Sequence, residues 1–286
     1  MFKKNNHNFS IIKNNKELDQ FIAKIKNKKK FFFDTEFERR STYKAIISII
    51  VIFDGTNIGI IDCLQKNINF KKIFKFLNKK KNTLVIHSCR QDLEIFLPIV
   101  KKIVFAVFDT QIAALFNGYN EPPSYKKLVQ DFCKISLDKA LQNEDWLKRP
   151  IDDERINYLI NDVYYLKIIF NKLNNILVKN NKLKLFNKLI KKEIFKVSHE
   201  DYPIIYKKKL GSSIIKNRKF IKIINFRNKI AKKINLPKNW VFSDKEIIKN
   251  IRNDEISIIS KNLKNDEIIN LTKLIKDLKK TFSKIN

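Results

Sequence analysis

Three consecutive phenylalanines, Phe31 to Phe33, run directly into Asp34-Thr35-Glu36. An unbroken apolar run behind Lys28 to Lys30 reads as a buried strand. Few folds tolerate a buried strand ending on two carboxylates, because carboxylates leave water only against something that satisfies them. In an extended chain residues i and i+2 point to the same side, so Asp34 and Glu36 present their acids together while Thr35 faces away. A divalent metal held by hard oxygen ligands is the commonest relief for such a pair. A charged strand end reaching solvent is the other reading, and these residues alone leave both open.

Size and composition narrow the setting. With 286 residues the chain has room for one large domain and a smaller one. A hydrophobic content of 44% with 12% aromatics excludes a disordered chain. The formal charge of +31 makes a polyanion the first partner to consider, although the abundance of Lys, Asn and Ile is also what A/T-rich codons produce. Cys63, Cys89 and Cys133 are far apart and odd in number, which fits free thiols in a reducing cytosol better than a disulfide frame or a zinc cluster. The start, Met1-Phe2-Lys3-Lys4-Asn5-Asn6, lacks an apolar leader, and the longest mainly apolar run, Ala45 to Phe53, is far short of the ~20 residues that cross a bilayer. A cytoplasmic protein with no membrane attachment is expected.

Periodicity predicts a short amphipathic helix over 17–26, then the Asp34/Glu36 strand. Two β-branched runs, 45–53 and 58–61, flank Asp54-Gly55 and predict an antiparallel hairpin. A helix at 70–77, a buried strand at 83–87, a helix capped by Ser88 through Phe96, a strand at 104–108 and a helix at 111–116 capped by Asp109 or Thr110 follow. Strands alternating with helices argue for an α/β or mixed-sheet domain. After a loop at Gly118 to Ser124 and a helix at 125–132, Asp152 caps a long helix reaching about Val178. Tyr158 and Asp162 lie four apart on it and share one face.

From Lys179 onward the pattern is helical throughout. Residues 206–286 hold 22 Lys and Arg against 7 Asp and Glu, a net +15 in 81 residues, which describes a basic helical module.

Asp34, Glu36, Asp92 and Asp162 each fall at a strand end or on a helix next to the expected sheet, so they can converge. Four carboxylates in one cleft suit two Mg2+ or Mn2+ ions ~4 Å apart that activate a water and stabilise the leaving oxygen of a phosphodiester. Glu38, Glu94, Asp109, Asp152 and Asp153 compete with them, and each has an ordinary explanation as a helix cap or solvated face.

Three segments then carry a resemblance: Phe-Phe-Asp34-Thr-Glu36-Phe, His87-Ser-Cys-Arg-Gln91-Asp92-Leu-Glu94 and Tyr158-Leu-Ile-Asn161-Asp162-Val-Tyr-Tyr-Leu166. With Phe108-Asp109-Thr110-Gln111-Ile112-Ala113 and the stretch from Leu137-Asp138-Lys139 to Asp145-Trp146-Leu147-Lys148-Arg149-Pro150, they resemble the exonuclease motifs of ribonuclease D, in the tyrosine-bearing branch of the DEDD superfamily. The resemblance covers most of residues 1–180. It implies a ribonuclease H-like mixed sheet flanked by helices, with Asp34, Glu36, Asp92 and Asp162 as metal ligands and Asp34 bridging. Tyr158 would orient or help deprotonate the attacking water, and His87 would support the site without ligating.

Phe220 to Ala231, leading into Leu236-Pro237-Lys238-Asn239-Trp240-Val241-Phe242-Ser243-Asp244, resembles the helicase and RNase D C-terminal (HRDC) domain, a small helical nucleic-acid-binding fold. The expected organisation is an exonuclease domain at 1–180, a helical linker at 181–210 and one HRDC-like domain at 211–286.

The resemblance implies a metal-dependent 3'-5' exoribonuclease that releases nucleoside 5'-monophosphates, trims transfer RNA precursors and needs no obligate protein partner. Phe37 and Tyr43 are candidates to stack terminal bases. A DNA exonuclease is the first alternative, because the same chemistry ignores the sugar unless a group contacts the 2'-OH. A catalytically inactive RNA-binding module is the second.

Overall fold

The computed structural model describes residues 8–137, 144–198 and 204–282. In chain order the elements are β1 (Phe9–Ile12), α1 (Asn15–Ile25), β2 (Lys30–Glu38), β3 (Ile46–Phe53), β4 (Ile58–Asp62), α2 (Lys71–Leu77), β5 (Thr83–Ile86), α3 (Arg90–Val100), β6 (Ala106–Asp109), α4 (Thr110–Ala114), α5 (Tyr125–Cys133), α6 (Asp153–Lys179) and α7 (Leu183–Ser198). Then come α8 (Ile204–Lys216), α9 (Arg218–Ile234), α10 (Lys238–Val241), α11 (Asp244–Arg252) and α12 (Asn265–Phe282). Contacts divide the described residues into two compact units. One runs to Glu38 and from Ile47 through α7; the other holds Arg39–Ile46 and everything from α8 onward.

The first unit is built on a six-stranded sheet in the order β1-β4-β3-β2-β5-β6. β1 runs parallel to β4, and β2, β5 and β6 are mutually parallel, whereas β3 and β4 are antiparallel, so the sheet is mixed. The hairpin expected around Asp54-Gly55 forms. Asp54 Oδ1 accepts from the backbone N–H groups of Thr56 at 2.8 Å and Asn57 at 2.6 Å, and Gly55 takes the left-handed conformation (φ +95°) that the turn needs. β1 is an addition to the sequence reading. Its four residues are too few for a pattern, and it is held by pairing with β4 alone.

β2 is covered on both sides, and its alternation decides what meets it. Phe31 packs on Phe76 of α2, and Phe33 on Phe74 of α2 and Phe96 of α3, with ring centroids 5.8, 6.3 and 5.2 Å apart. Phe32, on the opposite side, meets Phe170 of α6 at 5.9 Å. The result is a three-layer arrangement with α2 and α3 on one face and α6 on the other. Burying three phenylalanines stabilises this centre by about 2 kcal/mol or more for each ring.

Residues 181–210, expected as a linker, are divided between the units. α7 belongs to the first, where Phe186 and Ile190 are buried and Phe186 stacks on Phe108 at 4.8 Å. Two buried apolar residues in a Lys-rich helix make too thin a stripe to stand out in the sequence. α8 opens the second unit and kinks at Gly211 (φ +80°).

From α8 onward the regular elements among the described residues of the second unit are all helices, as expected of an HRDC domain. Tyr206, Phe220, Ile223, Phe242, Ile247 and Ile275 form its core. Ser243 and Glu246 close a reciprocal capping box at the start of α11, and buried Arg227 pairs with Asp244. Val241 and Phe242, in the segment that carried the HRDC resemblance, insert into this core. Cys63, Cys89 and Cys133 are free thiols. No helix among the described residues is long and apolar enough to cross a membrane.

Candidate active site

Because the side chains of β2 alternate, its two carboxylates follow Phe32 toward the α6 layer. Asp162 of α6 meets them there. One carboxylate oxygen from each of Asp34, Glu36 and Asp162 lies within 4.8 Å of the others. Tyr158, one helical turn before Asp162, hydrogen-bonds to it. The fourth acid arrives from the other layer. Asp92 sits in the first turn of α3, and Thr35, which follows Phe31 and Phe33 toward that side, donates its hydroxyl to Asp92 Oδ1 at 2.6 Å. Asp92 therefore stands outside the three-oxygen cluster, yet it feels the charge of Asp34 and acts on Glu36.

The electrostatics are those of like charges crowded in a half-buried cluster. Burial pushes Asp34 up to about 7 against the opposing hydrogen bond from the Thr35 backbone. Burial, then the charges of Asp34, Asp162 and Asp92, pushes Glu36 up to about 10. Asp92 and Asp162 are raised well above the ordinary carboxylate range by burial and then by Asp34. The charges that shift Glu36 and Asp162 are those of neighbouring carboxylates. A set of hard oxygen donors this close, each disfavouring its neighbours' ionisation, fits a divalent cation of the Mg2+ or Mn2+ class, which removes both penalties at once. The Tyr158 phenol is also raised, by burial and then by Asp162, Glu36 and Asp34, so it holds its proton and acts as a donor.

Three of the rival acids, Asp109, Asp152 and Glu94, have structural employment. Asp109 is buried and accepts four backbone N–H groups. Two are Gln111 at 2.8 Å and Ile112 at 3.3 Å, which start α4; two are Ser88 at 3.2 Å and Cys89 at 2.8 Å, which start α3. Ser88, expected to cap α3, makes no cap; it adopts φ +57°, and Asp109 fills the role from a neighbouring strand. Asp152 caps α6 through the Arg155 N–H at 2.9 Å, and Glu94 pairs with exposed Arg90. His87 does not join the acids. Its Nδ1 lies 3.0 Å from Thr110 Oγ1, and burial lowers it to about 4, so it is a neutral ring.

The 3'-5' exonuclease family matches residues 9–178, more than half of the chain. A ribonuclease D from Haemophilus influenzae is 31% identical over 171 residues, covering 60% of this chain and 43% of that protein. A ribonuclease D from Bartonella henselae is 27% identical over 247 residues, covering 85% and 61%. This chain belongs to the DEDD 3'-5' exonuclease family, on its ribonuclease D branch. It spans less than two thirds of the length of these relatives. Among solved structures, Escherichia coli RNase D shares the fold, with a TM-score of 0.74 at 21% identity over 95% of this chain and 75% of that one. Brucella melitensis NrnC with bound Mg2+ has a TM-score of 0.53 at 18% identity over 67% and 90%.

Around this acidic cluster, three supporting residues escaped the sequence reading. Thr35 faces away from Asp34 and Glu36 as expected, and on that side it orients Asp92. Tyr125 of α5 donates its hydroxyl to the backbone carbonyls of Asp162 and, at 3.3 Å, Asn161. Arg149 grips the buried Asp62 through two nitrogens, at 2.8 and 3.0 Å, and also reaches Ser48 Oγ and the Trp146 carbonyl. That clamp fixes Trp146, whose ring lies 5.7 Å from Tyr158. Of the matched block that begins at Leu137, residues 138–143 lie outside the described ones. Of the stacking candidates, Phe37 is half-buried in β2, whereas Tyr43 belongs to the helical unit, where its backbone N–H donates to Asn235 and Lys238 lies 5.8 Å over its ring.

Proposed function

We propose that the chain is a metal-dependent 3'-5' exoribonuclease that removes nucleoside 5'-monophosphates one at a time from single-stranded RNA ends, transfer RNA precursors among them. The observation that carries this reading is the meeting of Asp34 and Glu36 with Asp162 and Tyr158, three oxygens within 4.8 Å and a protonated phenol beside them.

Asp34, Glu36, Asp92 and Asp162 are the ligands proposed for two divalent cations. Bound there, the cations supply the Lewis acidity that generates hydroxide at neutral pH and neutralises charge on the phosphodiester. The chain's own residues do the rest. Asp162 accepts the Tyr158 hydrogen bond, which holds that ring in one orientation. Tyr158, held beside Asp162, would orient the attacking water or help to deprotonate it. Thr35 holds Asp92 in one rotamer, as outer-shell partners of metal-ligating carboxylates do. The basic helical unit, net +15 over residues 206–286, would contribute phosphate contacts, and affinity should then fall steeply with salt. Family membership favours RNA over DNA.

A transfer RNA precursor with extra 3' nucleotides and a 5' label tests this directly. The expected result is a ladder of 3'-shortened products with Mg2+ or Mn2+ that is lost in EDTA and in Asp162→Ala. Matched RNA and DNA oligonucleotides decide the sugar, and activity on DNA alone would overturn the choice. An RNA that shifts on a native gel but is never trimmed would favour the inactive binding module.

A further inference from the structure

The helical unit carries an aromatic side chain that its own fold does not use. Trp240, on the short helix α10, is 54% exposed, whereas Trp146, the chain's other tryptophan, is 4% exposed. Its neighbours face the other way: Val241 and Phe242 enter the core. Among the described residues, Lys238 lies over the Tyr43 ring, and no ring or cation is recorded against Trp240. The backbone beneath it is held firmly. Asn262 Nδ2 donates to the Trp240 carbonyl at 2.7 Å, and Ser260 Oγ to the Val241 carbonyl. These two bonds fasten alongside α10 the turn that carries Ile259, 80% exposed, and Lys261.

An indole left open on a fixed backbone offers a flat apolar face that an occupant with a flat face can cover. Charge selects the occupant. Residues 206–286 carry net +15, with Lys238, Lys245, Lys261 and Lys264 close in sequence to this surface. A single-stranded polyanion with exposed bases meets both requirements, because stacking engages the base while lysines track the phosphates. We propose that Trp240 is a base-stacking platform for single-stranded RNA, a contact separate from the catalytic cleft. The proposal rests on RNA as the ligand suggested above, and its test does not depend on hydrolysis.

Full-length protein in EDTA is titrated with single-stranded oligouridylate while tryptophan emission and affinity are followed at several salt concentrations. Binding is expected to quench the emission. Trp240→Ala and Trp240→Gln are expected to lose the quench and to bind about 5- to 100-fold more weakly, the range of one lost stacked base, while Trp240→Phe stays within about threefold of the parent. The slope of log affinity against log salt should be the same in all four proteins, since phosphate contacts are untouched. Two non-isosteric variants guard against one misfolding, and thermal melting identifies which are folded. Unchanged affinity in both folded variants, or unchanged emission at saturation, overturns the platform. So does concentration-dependent self-association in light scattering that the substitutions abolish without altering RNA affinity, because the occupant would then be a second copy. A chain that quenches on RNA but shortens none loses the catalytic proposal and keeps this one.

Discussion

The hydroxyl of Tyr125 donates to the backbone carbonyl oxygen of Asp162, tying α5 to the turn of α6 that presents a site carboxylate. The ring is half-buried and lies 5.4 Å from the His87 imidazole, so its position is fixed from both sides. Tyr125→Phe keeps the packing and removes only the bond. It should lower unfolding stability by about 1 kcal/mol. It should also raise the Mg2+ concentration needed for half of the metal-induced rise in melting temperature by about tenfold, as outer-shell losses do. An unaltered Mg2+ titration would reduce Tyr125 to a packing residue.

Asp162→Asn should stabilise the metal-free chain at pH 8 while abolishing RNA trimming. Burial and Asp34 disfavour the ionised Asp162, and the amide removes that charge at nearly constant volume. A gain of about 1–2 kcal/mol in urea unfolding with EDTA is expected, together with loss of stabilisation by Mg2+. A variant less stable than the parent without metal would show that the acids are not in mutual repulsion.

The same repulsion gives the metal-free protein an unusual pH profile. Folding raises Asp34 from 3.8 to about 7 and Glu36 from 4.5 to about 10, so the folded chain binds these protons more tightly than the unfolded one. Their contribution is complete near pH 4 and is lost as pH rises through about 7 and then about 10. His87 runs oppositely. Its pKa falls from 6.5 to about 4, so its contribution is present above 6.5 and lost as pH drops toward 4. Above pH 6.5 the acids dominate, joined near pH 9 by the thiols of Cys63, Cys89 and Cys133, which burial raises and which therefore act in the same sense. Urea midpoints in EDTA should therefore fall between pH 6.5 and 9.5, by up to about 1.4 kcal/mol per pH unit for each proton released. Saturating Mg2+ should flatten the decline, and a flat profile in EDTA would contradict the raised pKa values.

Asp109 joins two helix starts through one carboxylate, and removing it orphans four N–H groups. Asp109→Ala should cost about 2–4 kcal/mol in urea unfolding. By loosening the first turn of α3, which carries Asp92, it should also weaken Mg2+ stabilisation. Asp152→Ala, at an exposed cap, should cost only about 1 kcal/mol.

Arg149 grips the buried Asp62, whose carboxyl lies below its ordinary range because hydrogen bonds from Arg149 and Gln65 outweigh the effect of burial. Arg149→Ala should lower stability by about 3–5 kcal/mol, the cost of stranding a buried carboxylate. Arg149→Lys should recover only part of that, since an ammonium cannot span both oxygens and the Ser48 and Trp146 contacts together. Thermal melts of the two variants separate these outcomes.

Local chemistry made much of this protein readable in advance. The hairpin at Asp54-Gly55, the Asp152 cap of α6, the Tyr158/Asp162 pair and the joint projection of Asp34 and Glu36 all follow from turn preferences and from periods of 3.6 and 2, which act over a few residues. What stayed hidden lies far apart along the chain. Thr35 finds Asp92 across 57 residues, Tyr125 finds Asp162 across 37, and Arg149 finds Asp62 across 87. Ser88 looked like a helix cap because Ser is a good one, yet Asp109, 20 residues beyond Cys89, holds the better position from the adjacent strand. α7 looked like a linker because lysines outnumber the two residues it buries.

The sequence by itself determined which acids are available, which side of each element they leave from, and that a basic helical module follows. Only the tertiary structure decided that three carboxylates share one layer while Asp92 enters from the other, because that depends on α6 and α3 packing on opposite faces of β2. Packing also decided which tryptophan is buried beside Tyr158 and which is left open to solvent, since exposure belongs to a residue's neighbours in space and not to its type.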